Sequence, residues 1–223
     1  MKRPAADPAT SLTLASLPGF VSRTDGWAEL RAAVASGQSG AIDGAWGSAS
    51  AVAVAALAAE APGPVLVVLP RPADVLPWTE DLAGFIGTRP TVFPAHETWP
   101  PVAVRGRLAP ETSQRLRVLQ DLAASPPKLI LAAIPALIQP VPPRSDLSTT
   151  ARRLRPGETL DSDELAEWLV ANGYKRAESV EFPGEFGRRG GIFDIFPPDA
   201  ADPVRLEFDG DELESIRVFS ADT

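Results

Sequence analysis

The sequence has no cysteine among its 223 residues. Disulfides and thiolate metal sites are therefore excluded, and the composition fits a cytoplasmic protein. Histidine occurs once, at His96. Any metal site would have to rest on carboxylates around that one imidazole, so His96 reads as an ordinary packed or surface residue and no metal is expected. Lysine is missing from every position between residues 3 and 127. No apolar run reaches the roughly 18 residues that a membrane span needs, and the N-terminus lacks a secretory apolar core. No membrane role is expected.

Hydrophobic residues make up 44% of the chain, enough for a folded core. The 24 prolines, with abundant alanine, point to a GC-rich genome more than to a special architecture. The net charge of −8 is unevenly placed. Residues 1–147 hold 12 basic and 12 acidic side chains, whereas 148–223 hold 9 basic and 17 acidic. Non-specific nucleic-acid binding needs a basic footprint to displace counterions. Residues 148–223 lack one, so a protein partner is expected there and direct nucleic-acid binding is not.

Residues 1–24 are rich in Pro, Ala and Ser without a sustained period and read as a loose N-terminal extension. Trp27, Leu30 and Val34 are spaced for one face of a short helix ending at Gly37. A glycine turn then opens an alanine-rich helix over about 48–60. PVLVVLP at 64–70 reads as a strand buried on both faces. Helices are expected over 73–86 and 110–122, the latter with Leu116, Leu119 and Leu122 on one stripe. TVF at 91–93 and KLILAAI at 128–134 complete an alternation of strands and helices, which argues for a parallel α/β lobe over 25–140. The Pro-rich stretch 138–147 is the linker.

Residues 141–223 read as a small α+β domain with an antiparallel sheet. Asp161 and Glu164 form a capping-box pair, Leu160 and Leu165 staple the helix entry, and Asn172-Gly173 closes it. The run 183–219 follows. Arg188 and Arg189 stand in tandem before Gly190-Gly191. In the next strand Val204, Leu206 and Phe208 take one face, Arg205 and Glu207 the other. Asp209-Gly210-Asp211 signals a hairpin turn. Arginines beside glycine-loosened backbone suit recognition.

GEFGRRGGIFDIFPP, followed by PVRLEFDGDELESIR, resembles the module shared by the excision-repair subunit UvrB and the bacterial transcription-repair coupling factor. FPAHETWPP at 93–101, ETSQRLRVL at 111–119 and LDSDELAEWLVANGYKRAESV at 160–180 fit as well, and the resemblance is collinear from about residue 44 onward. It implies a degenerate nucleotide-fold lobe, P-loop NTPase-like but without a functional Walker A, followed by a domain that docks on UvrA. Gly44-Ala45-Trp46-Gly47-Ser48 stands where a phosphate loop would stand, yet GxxxxGK[ST] needs a lysine that this region does not have. No nucleotide cofactor is expected, and the coupling factor is the better likeness.

The resemblance further implies that this stretch is a binding module and not an enzyme, and that the module continues beyond Thr223. In the family the rest of the chain binds RNA polymerase and translocates along double-stranded DNA. Arg189 and Arg205 match the two arginines that dock on UvrA; as ordinary strand residues they would simply balance the local acid. At Asp209 the family commonly carries an aromatic that joins them. Asp209 therefore either replaces a docking anchor or is only the first residue of an Asp-Gly turn. Two rival readings are a UvrB-type damage-verifying ATPase and a small α/β enzyme. The missing lysine disfavours the first. The second would rest on Glu207, Asp209, Asp211, Glu212 and Glu214, which share one hairpin and form no nucleophile–base set.

Overall fold

The computed structural model describes residues 12–98, 109–149 and 151–220, so the last three residues of FPAHETWPP lie outside it. Two compact units emerge: residues through Val92 with Pro126–Ile134, and Phe93–Ser125 with residues from Pro135 onward.

The first unit contains α1 (Leu17–Val21), α2 (Trp27–Ala35), α3 (Ser48–Glu60), β1 (Val65–Leu69), α4 (Val75–Ile86), β2 (Thr91–Phe93) and β3 (Leu129–Ala133). The strands form a sheet of order β1-β3-β2, with β1 and β3 parallel. Alanine at positions 51, 55 and 58 leaves α3 thin on one side. Its small side chains and Val52 share a core with Leu82 and Phe85 of α4 and with Leu129 and Leu131. Burying a side chain such as Leu82 or Leu131 contributes about 2 kcal/mol. Leu17 and Val21 of α1 also pack on this core.

Two expectations need correction here. Only Val67 and Leu69 of β1 are buried; Leu66 and Val68 are 51% and 47% exposed. The apolar run could not reveal that β1 is an edge strand, whereas the central strand β3 is buried at all five positions. In α2 the buried residue is Trp27, whose Nε1 donates to Glu60 Oε1 at 3.3 Å, while Val34 is exposed.

The second unit contains α5 (Pro110–Ala124), α6 (Ile134–Ile138), α7 (Arg144–Thr149), α8 (Ser162–Ala171) and strands β4 (Lys175–Arg176), β5 (Glu185–Arg189), β6 (Ile192–Ile195), β7 (Val204–Asp209) and β8 (Glu212–Val218). The buried positions of α5 are Ser113, Arg115 and Val118, and the expected leucine stripe leaves Leu122 exposed. Helix α8 starts as its sequence dictates: Asp161 accepts from the amides of Asp163 (2.7 Å) and Glu164 (3.3 Å). Leu165 and Leu169 then pack on Phe186, Phe193, Ile195, Leu206 and Leu213.

The sheet runs β4-β5-β6-β7-β8. Its last four strands are antiparallel, joined by turns that fold the chain back. The expectation of a wholly antiparallel sheet fails at β4, which pairs parallel to β5. Residues 177–184 carry the chain back to the end where β4 began, and a returning connection makes parallel neighbours. The fold is α/β, with a three-stranded sheet and a mixed five-stranded one.

A candidate docking face on the five-stranded sheet

Side chains along a strand alternate between faces. Phe186, Phe193 and Leu206 face α8, so their neighbours in register face the other way. Two cross-strand rows make up that outer face. One is Gly187, Asp194, Arg205 and Arg217; the next is Arg189, Ile192, Glu207 and Ser215. The register thus brings Arg189 and Arg205 onto one face, on strands separated by β6. Arg188 goes to the opposite face, over the Phe193 ring at 5.1 Å, where it bonds Asp163 and, at 2.8 Å, Ser162 Oγ at the start of α8.

Arg205 donates Nε and Nη2 to the two carboxylate oxygens of Asp194, at 2.7 and 2.8 Å. Its guanidinium also lies 5.2 Å from the centre of the Phe219 ring. Hydrogen bonding to Asp194, and then its charge, raise the pKa of Arg205, which stays cationic. Arg189 donates Nη2 to the carbonyl of Glu178 at 2.6 Å. Glu207 accepts from Ser215 Oγ at 2.8 Å and from Arg217 Nη2 at 3.0 Å. Asp209 is exposed one row beyond, paired with Glu212 next to Gly210. Gly210 has φ 59°, which a side chain would resist. The β-bulge in this hairpin puts the extra residue on β8, so Asp209 keeps the facing of Arg205.

The sequence reading passed over Ile192, which is 39% exposed between Arg189 and Glu207. Strict alternation outward from Phe193 was the signal that could have found it. The close approach at the neighbouring turn is set by Gly191, where a Cβ would come within 2.7 Å of the Phe208 carbonyl.

Other candidate groups do not converge. Gly44 and Gly47 take positive φ, 74° and 56°, just before α3, and Trp46 on that turn is 83% exposed. Lys128 Nζ is engaged by the Ala61 carbonyl. His96 is buried, with its backbone paired to the Gln139 side chain. Burial, and then the positive charge of Arg115, lower its pKa. Arg115 is itself buried and was missed in sequence. Its guanidinium donates to the carbonyls of Pro94 (2.7 Å) and Ala136 (3.0 Å), with longer contacts to Gln139 and Pro140, and lies over Phe93. Of the hairpin carboxylates, Glu207 is tied to Arg217, while Asp209, Asp211, Glu212 and Glu214 are exposed. Among the described residues no three metal-ligating side chains cluster, and no helix is long and apolar enough to cross a membrane.

Residues 153–223, a range that includes α8 and all five strands of this sheet, match the UvrB interaction domain family. Over 81% of its length the chain is 32% identical to the transcription-repair-coupling factor of Bacillus subtilis. The chain is a relative of the transcription-repair-coupling factors. Their Mycobacterium bovis member is 34% identical over 78% of the chain, and the Escherichia coli member 30% over 79%. The chain spans about 15% of the length of these coupling factors.

Proposed function

We propose that this chain is a binding module of a transcription-repair-coupling factor, and that its five-stranded sheet docks on UvrA through the outer face carrying Arg189 and Arg205. One observation carries the reading: within the segment that matches the UvrB interaction domain, the register places both arginines on the same side of the sheet, away from α8. Arginine suits such a contact because its planar fork pairs with carboxylates and sheds water cheaply. Ile192 supplies apolar area between them, and Asp209 lies at the rim.

In this reading the module recruits UvrA to stalled RNA polymerase in nucleotide excision repair. Polymerase binding and ATP-driven movement on double-stranded DNA belong to the remainder of the parent chain, in the cytoplasm. The first unit is a nucleotide fold that has lost its Walker lysine and serves as scaffold; the stretch performs no catalysis.

The test is titration of the 223-residue chain against the cognate UvrA by calorimetry or biolayer interferometry. Saturable binding that Arg205→Ala weakens about 30-fold, the scale of a 2 kcal/mol hot spot, is expected. Absence of binding overturns the reading. Titration with Mg-ATP in place of UvrA separates it from the UvrB-type ATPase, since only the latter gives saturable heat.

A further inference from the structure

The Asp194–Arg205 pair does more than balance charge. A guanidinium has five N–H groups in a flat fork. Asp194 takes the Nε–Nη2 side of Arg205 with two short bonds, and Phe219 packs near the guanidinium. That leaves Nη1 and the second Nη2 hydrogen as an end-on pair of donors. The geometry of that pair is what a second carboxylate requires. Arg205 keeps 43% of its side chain exposed while Asp194 keeps 24%, so the anchor is the more enclosed partner and the arginine the more presented one. The neighbouring cation in the row, Arg217, is drawn off by Glu207. Arg205 therefore does not have to share Asp194.

We infer that Asp194 is a positioning residue for docking: it holds the Arg205 fork rigid on the outer face so that its free edge receives a carboxylate of the partner protein. The inference rests on the docking reading above and adds to it the chemical group recognised and the residue that prepares its recognition. A long side chain already fixed in its bound geometry loses little freedom on association, which favours affinity.

The experiment is a double-mutant cycle between Asp194→Asn and Arg205→Ala, read as affinity for the cognate UvrA at low and high salt. Asp194→Asn preserves shape but loosens the fork, so a loss of roughly three- to tenfold is expected, the scale of one side chain that must be ordered on binding. In the Arg205→Ala background the same substitution should change nothing, because Asp194 acts only through Arg205. A residue that merely supported the fold would lower affinity equally in both backgrounds and depress the melting temperature. That outcome overturns the inference. So does tighter binding by Asp194→Asn, which would make Asp194 a competitor of the partner. If Arg205→Ala weakens binding and Asp194→Asn does not, the positioning role falls while the docking reading survives. If neither Arg189→Ala nor Arg205→Ala alters binding, the docking reading itself fails.

Discussion

Arg188 and Arg189 are adjacent in sequence and sit on opposite sides of one sheet. Arg188 bonds Ser162 and Asp163 and covers Phe193; Arg189 reaches the Glu178 carbonyl on the outer face. Strand alternation assigns them different work.

That division predicts a clean separation of phenotypes. Arg189→Ala should weaken UvrA binding and leave the melting temperature within a degree or two, since an exposed substitution shifts stability by about 0.5 kcal/mol or less. Arg188→Ala should do the reverse, costing about 1 kcal/mol through the lost ion pair and ring contact. Paired melting curves and binding isotherms for the two variants check this. Equal loss of affinity in both would mean that the outer face is not the docking face.

Asp209→Phe should tighten binding and reduce its salt dependence. Asp209 shares the facing of Arg205 at the exposed end of β7, where an aromatic would add the desolvating area typical of interface anchors. Comparing the variant with the parent at two salt concentrations decides between the two readings. Unchanged or weaker affinity would leave Asp209 as a turn residue only.

Arg115 should be among the least replaceable residues of α5. Its guanidinium serves carbonyls from Pro94, Ala136, Gln139 and Pro140. Arg115→Met would leave several buried acceptors unpaired, a cost of about 3 kcal/mol or more. Arg115→Lys should recover only part of it, because an ammonium cannot span the carbonyls as a planar fork does. Urea denaturation of the three proteins gives the comparison.

His96 should make stability fall on the acid side of neutrality. Its pKa in the fold is lowered, first by burial and then by Arg115, so the unfolded chain takes up a proton more readily than the folded one. The stabilising contribution is complete above the unfolded value of about 6.5 and declines as the pH drops through it toward the lower folded value. His96→Gln should flatten the dependence of the denaturation midpoint between neutral pH and pH 5. A slope identical to the parent's would show that other groups set the acid limit.

Some of this molecule is written locally. The α3 helix follows a glycine turn and an alanine run; α8 begins where Asp161 caps it; the turns at Gly190 and Gly210 sit where glycine permits a positive φ. Each depends on residues a few positions apart, so the chain itself determines them. The resemblance carried by 183–217 was likewise legible, because it is a string of residue types.

Tertiary structure alone decided the rest. VLVVL does not disclose that β1 is an edge strand; that depends on β3 taking the central place. Leu116, Leu119 and Leu122 look like the packed stripe of α5 until Arg115 finds its carbonyls on segments about twenty residues away on either side. Asp194 and Arg205 are eleven residues apart and become partners only through the β6–β7 register. Periodicity tells which residues share a face of one element. It cannot tell what that face will meet, because burial and pairing are properties of neighbours that the sequence does not place side by side.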